Sequence, residues 1–360
     1  MDAQYRQIDI DATGKEAVAT AFENQVAYCR SSAAEITASV CEGLYGLLDS
    51  DRGGMMMERV RRWAGPPLAD ALPLRVAGGL HALHLSGDEP DLAPLYTRKR
   101  VSDVADLLAE VIERHEAVLM PWLDSPPQTN EVARSASFIA AMLWLADCGL
   151  PATFAPFEIG SSAGANLMIR RFGYNLGGVH FGRRTPVIDL SPEWRGEAPP
   201  DCEITLRRPV GCDIAPIDLT DPAEQSRLKA YVWPEFSERL MRIDRVIASA
   251  AESPPGLVQA DAADFVDAQV AAPRHSKETL VLMHSVMWQY LPEDTKARIT
   301  GAMEAAGAKA TKDAPIAWIS VEANRDTHQH ECRVRYWPGG EEEVHLANAH
   351  PHGAWIEWLV

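Results

Sequence analysis

The sequence predicts an α/β protein: a doubly wound, mostly parallel sheet that closes with an antiparallel C-terminal hairpin, preceded by an all-helical domain. Three observations carry this expectation. Up to about Leu150 only helical spacing is found. From Thr153 short apolar runs alternate with helix-like segments, and after Asn324 two strand-like runs flank Pro338-Gly339-Gly340, a turn signal. The domains are therefore placed at 1–150, an N-terminal helical cap, and 151–360, the sheet domain, with an insertion at about 175–208.

The helical part begins with noisy helical spacing over Ala21 to Leu48. In Val101 to Leu123, Val104, Leu107, Leu108, Val111, Ile112 and Leu119 share a face, with Ser102 at the N-cap position. A further helix, capped by Thr129 or Asn130, runs through Glu131, Arg134 and Ser135 into Ala136 to Cys148; Gly149 and Pro151 end it. Parallel strands are expected at Thr153–Ile159, Val210–Ile214, Leu257–Ala260, Leu280–Met283 and Ile316–Val321, with a long helix at Pro222–Ser249 among them. Cys332–Trp337, Val344–Asn348 and a final run from Ala354 to Val360 complete the antiparallel part.

With 360 residues, 46% of them hydrophobic, the chain can bury the core of one large domain or two ordinary ones. A net charge of −17 argues against wrapping nucleic acid, which calls for a basic face, and favours a small-molecule substrate. The N-terminus has neither the basic start nor the apolar run of a signal peptide, and the apolar stretch Ala136–Leu145 is too short to span a bilayer. A cytoplasmic protein without membrane contact is expected. Six cysteines without a Cys-x-x-Cys pair read as reduced structural thiols. The pairs His328/His330 and His350/His352 lack a matching carboxylate or cysteine spacing, so no metal site is expected.

The segment Phe154 to Asn166 carries the most chemistry. An apolar strand runs through Glu158 into a turn bearing Gly160 and Gly164, with a helix expected next, whose first amides would face a crevice at the strand's carboxyl end. Ser162 stands where a dinucleotide fingerprint places its second glycine, which argues against a pyrophosphate contact. Alone, this is equally an ordinary glycine turn. The pattern Glu-x-Gly-x-x-x-Gly resembles the first motif of the Rossmann-like methyltransferases that use S-adenosylmethionine. That resemblance implies cofactor contacts from Glu158, Gly160, Ser161, Gly164 and Asn166. Asp213, with Ile214 beside it, matches the acid that accepts from the ribose hydroxyls, although it lies far beyond the usual spacing, hence the insertion. Asp261, with Ala262, matches the adenine-binding segment, while Asp264 reads as a helix cap.

His284 ends the fourth expected strand and is the candidate general base, or else a packed polar residue. Trp288 and Tyr290 are candidate pocket walls. Glu131 and Arg134, one helical turn apart, are expected to face His284 and Tyr290 across the substrate opening, or else to form a surface pair. Seven arginines between Arg170 and Arg208 suit an anionic substrate, or pair with the acids among them.

Across nearly its whole length the chain also resembles an uncharacterised bacterial family, domain of unknown function 2332. The matching stretches are Asn130–Ser135, Glu158–Gly164, Asp213–Asp218, Tyr231–Pro234, His284–Tyr290 and His350–Gly353. The expectation is a cytoplasmic S-adenosylmethionine-dependent methyltransferase acting on a small, possibly anionic, molecule. Its alternatives are a methyltransferase fold kept as a binding or scaffold module, and a nicotinamide-dependent oxidoreductase, against which Ser162 and the lack of a Tyr-x-x-x-Lys pair count.

Overall fold

In the computed structural model, which describes residues 9–99, 101–324, 326–327 and 329–360, the chain divides into two compact units. One runs to Thr129 and takes back Pro222–Met241; the other holds Asn130–Asp221 and Arg242–Val360. The break falls at 129/130 instead of 150 because the helix Ser135–Asp147 is apolar nearly all round and packs on the sheet.

The first unit contains α1 (Lys15–Ser31), α2 (Glu35–Gly46), α3 (Gly54–Arg61), α4 (Leu72–Ser86), α5 (Ala93–Tyr96), α6 (Val104–Arg114) and α7 (Glu116–Leu119). The expected apolar face of α6 is real: Leu108, Val111 and Ile112 are fully buried beside Phe22, Leu44 and Leu80. Its cap is Asp103, whose carboxylate accepts from the Asp106 amide at 2.9 Å, not Ser102.

The second unit opens with α8 (Ser135–Asp147) and β1 (Thr153–Ile159). The insertion then supplies β2 (Gly173–Leu176), β3 (Val179–Gly182) and β4 (Asp189–Leu190), a separate three-stranded sheet, followed by β5 (Glu193–Arg195) and β6 (Thr205–Leu206). After β7 (Val210–Asp213) the helix expected over 222–249 forms as two: α9 (Pro222–Ala230), which belongs to the first unit, and α10 (Ser237–Glu252). Pro234 lies in the gap, and its missing N–H cannot continue the ladder. The chain continues through β8 (Gly256–Gln259), α11 (Ala262–Ala271), β9 (Thr279–Ser285), α12 (Glu293–Gly307), β10 (Ile316–Asn324), β11 (Gln329–Trp337), β12 (Gly340–Ala349) and β13 (Trp355–Trp358).

The main sheet has the order β5-β13-β12-β11-β10-β9-β1-β7-β8, with β6 beside the start of β1. Strands β8, β7, β1, β9 and β10 are mutually parallel. From β10 to β13 the pairing is antiparallel, so the expected hairpin is part of a longer meander. On one face α11 and α12 bury Phe157, Leu282, Ile299 and Met303. Covering each such side chain stabilises by about 1.5–3 kcal/mol. Among the described residues no helix is long and apolar enough to cross a membrane.

Candidate functional site at the carboxyl ends of β1, β7 and β9

From β1 the chain moves outward on one side to β7 and β8, then returns to the other side of β1 as β9. The order reverses between β1 and β9, and at such a switch the loops after the two strands part to leave a crevice where ligands bind in open α/β sheets. The glycine loop follows β1, and Val286-Met287 follows β9.

Gly160, Ser162 and Gly164 all have positive φ, at 64°, 53° and 72°. A side chain at Gly160 would be strained by that φ alone, and its Cβ would lie 2.8 Å from Met287 Cβ and Cγ. The Met287 side chain thus covers Gly160. The loop's amides turn inward: Ser161 N–H donates to Cys212 O (2.9 Å), Ser162 N–H to Asp213 Oδ2 (2.7 Å), Gly164 N–H to Ser161 O (2.7 Å) and Ala165 N–H to Asn130 Oδ1 (2.7 Å). The loop leads into a six-residue 3-10 turn, Asn166–Arg171, instead of an α-helix. The expected row of helix-start amides facing a ligand is therefore not formed.

Glu158, 1% exposed, accepts from Asn166 Nδ2 at 2.9 Å on Oε1. Among the described residues its Oε2, Ser162 Oγ and Asn166 Oδ1 are buried without a partner. Burial pushes the Glu158 carboxyl up to about 7, opposed by Asn166, Ser161 and the charge of Arg134. Such orphaned polar atoms are costly to keep.

Asp213 ends β7 as expected, and its carboxylate also braces the site: Oδ2 accepts from Ser162 N–H and Oδ1 from Ala215 N–H (2.9 Å). Ile214, next to it, is 70% exposed. Asp261 caps α11, accepting from Ala263 and Asp264 amides at 2.9 and 3.1 Å, with Ala262 as the first helical residue. The cap assigned to Asp264 thus belongs to Asp261; Asp264 instead pairs with Arg298 at 2.6 Å.

His284 is buried at the end of β9, and both its ring nitrogens are engaged. Trp318 Nε1, which can only donate, lies 2.9 Å from Nε2, so the proton sits on Nδ1 and is donated to Glu322 Oε1 at 2.7 Å. A protonated Nε2 would oppose the indole N–H. With both ring nitrogens engaged, the geometry is that of the alternative reading, a packed polar residue. Glu322 Oε1 also accepts from the Met287 and Trp288 amides (3.2 and 3.3 Å), fixing the loop over Gly160.

Trp288 stacks on His284, with ring centroids 5.0 Å apart, and both line a groove of about 410 Å³ over β10 and β11. Glu131, Arg134 and Tyr290 do not line it. Glu131 is the cap of a 3-10 turn at Val132–Arg134, accepting from Ala133 N–H, and lies 3.8 Å from Arg242. Arg134 donates to Pro351 O at 2.9 Å. Both are buried, as a pocket role requires, yet Arg134 is held by the 350–353 loop, and Tyr290 is 69% exposed. The four residues expected to face one another do not converge on that groove.

The arginines of the insertion are largely engaged by their own chain. Arg171 donates to Ser249 O (2.7 Å), Arg208 to Pro254 O (3.0 Å), and Arg207 and Arg195 pair with Glu278 and Glu193. Among the described residues no group of three or more His, Cys, Asp or Glu is arranged to hold a metal ion; His328 lies outside them. Sequence reasoning missed Met287, Trp318, Glu322 and Asn130. The alternation Trp318, Ser320, Glu322, Asn324 within one strand was the available signal, since such a period puts all four on one face.

The fold and site together define a mixed α/β protein with a glycine turn at the switch point of an open, mostly parallel sheet. Residues 19–358 match the family described as "Uncharacterized protein conserved in bacteria (DUF2332)", and the chain belongs to that family. No curated protein and no solved structure matches it.

Proposed function

We propose that the protein is an S-adenosylmethionine-dependent methyltransferase acting on a small molecule in the cytoplasm. The observation that carries this reading is the constellation at the switch point: the glycine turn after β1, an acid ending β7, and the exposed Ile214 beside it. The strand order β8-β7-β1-β9-β10 supports it, because it places those groups along one sheet edge.

The residues fit such a cofactor in a specific way. Glu158 Oε2, Ser162 Oγ and Asn166 Oδ1 supply acceptor capacity suited to an ammonium group, Asp213 has acceptor capacity beyond its two amide bonds, and Ile214 offers apolar surface to a purine ring. Gly160, Ser161 and Gly164 form the turn, and Ala262, behind the Asp261 cap, sits at the edge of the same row. When bound, the cofactor supplies an electrophilic methyl group. The protein's part is alignment and exclusion of water, so no catalytic base is needed unless the acceptor starts protonated. The inward-turned loop amides speak against a pyrophosphate-bearing dinucleotide. A fold retained for binding alone is the second reading, because cofactor-binding residues do not by themselves prove turnover.

Calorimetric titration with S-adenosylmethionine, its demethylated product and NAD tests this. Saturable binding of the first two and none of NAD is expected, and Asp213→Ala should weaken it by about 1–3 kcal/mol. Tight NAD binding with no response to the sulfonium cofactor sinks the proposal; cofactor binding without turnover of any acceptor selects the binding-only reading.

A further inference from the structure

The groove beside His284 has a chemistry that the cofactor reading does not use. Its floor is the polar face of β10 and β11, where Ser320, Glu322 and Asn324 alternate outward and Glu331, Arg333 and Arg335 do the same on the neighbouring strand. Three carboxylates, Glu322, Glu331 and Glu343, line it against two guanidiniums. Both guanidiniums are consumed. Arg333 is clamped between Glu331 and Glu343, each at 2.7 Å. Arg335 donates to Glu341 O (3.0 Å) and Glu304 (3.1 Å) and lies 4.8 Å above the Trp337 ring. Among the described residues no lining cation is left to meet an anion.

Glu322 differs from the other two carboxylates. Glu331 is spent on Arg333, Asn324 and Thr327. Among the described residues three donors to Glu322, the His284 ring and the Met287 and Trp288 amides, converge on Oε1, and the carboxylate lines the groove. Beside it stand the indoles of Trp288 and Trp318, 5.4 Å apart and inclined at 62°. His284 has both ring nitrogens engaged, by Trp318 and Glu322, and offers no further donor to the groove. Electron-rich rings next to a fixed carboxylate, in a cleft with no spare cation among the described residues, attract a positively charged nitrogen.

We propose that this groove is a binding site for an organic amine, whose ammonium or guanidinium docks against Glu322 beside the Trp288–Trp318 pair. At about 410 Å³ it takes a molecule larger than ammonium itself, within the size range of small-ligand sites. The site does not depend on the methyl-transfer reading; if both hold, the acceptor is a cationic amine and not an anion.

Calorimetry and tryptophan fluorescence on the full chain, with agmatine and putrescine as probes and glutarate as the anionic control, test it. Saturable amine binding is expected, with no response to glutarate and affinity about tenfold weaker or worse in Glu322→Gln and Trp288→Ala. Tighter binding of glutarate, no saturation by either amine at millimolar concentration, or unchanged affinity in Glu322→Gln overturns the site. Because Glu322 also anchors the Met287 and Trp288 amides, Ser320→Lys serves as a second variant: its ammonium on the same strand face should abolish amine binding, and retained binding overturns the proposal. Amine binding by a protein indifferent to S-adenosylmethionine upholds the groove and overturns the methyl-transfer reading; the opposite pair of results overturns the groove alone.

Discussion

Glu158→Gln is expected to abolish a loss of stability that the native protein undergoes as pH rises from about 4.5 to about 7, the ordinary and the folded values of this carboxyl. In that window the folded state binds the proton that the unfolded state has already released, so stability falls with rising pH and the full loss is present above both values. A displacement of this size corresponds to roughly 3 kcal/mol, at about 1.4 kcal/mol per pH unit. Burial is the dominant cause, and the carboxyl is 1% exposed, so solvent does little to reduce the effect. The glutamine keeps the acceptor for Asn166 Nδ2 and cannot ionise. Urea unfolding at several pH values between 5 and 9 checks this: a slope in the native protein that survives unchanged in Glu158→Gln would show that another group carries it.

Gly353→Ala should destabilise far more than Gly339→Ala, although both glycines have positive φ (69° and 99°). A Cβ at Gly353 would lie 2.2 Å from Ala133 Cβ and 2.9 Å from its carbonyl carbon, whereas nothing lies within 4 Å of one at Gly339. Backbone strain alone costs about 1–3 kcal/mol, and overpacking against the 132–134 turn adds about as much again. The same loop receives the Arg134 guanidinium through Pro351 O, so its displacement also releases a buried charge. Denaturant midpoints of the two variants, read at constant m, separate the contributions. Equal losses would mean that the packing of Gly353 on Ala133 imposes no constraint.

Much of the architecture was legible because strand and helix signals are local. The strand expected at Thr153–Ile159 is β1 with the same ends, and the expected runs at 210–214, 257–260, 280–283 and 316–321 each correspond to a strand of the parallel set. Apolar runs bounded by Pro and Gly announce themselves within a few residues. The boundary at 150 was not legible, since the apolar pattern of α8 says that it is buried but not against what. The break at Pro234 was visible in the sequence and was outweighed by the helical spacing on either side.

The site divides along the same line. Sequence alone determined that glycines stand in the turn after β1, that an acid ends β7 and another follows β8, and that a histidine lies at the end of β9, because each depends on residue type and neighbours in the chain. What those groups do was decided by partners far away in sequence. The ring nitrogens of His284 are engaged by Trp318 and Glu322, more than thirty positions on. Asp213 braces Ser162 across 51 positions, and Asn130 takes the Ala165 amide that an α-helix start would have left open. Hydrogen-bond donors and acceptors are finite, and only the folded chain reveals which are already taken: among the described residues the amides of Ser161, Ser162, Gly164 and Ala165 are, while Glu158 Oε2 is not.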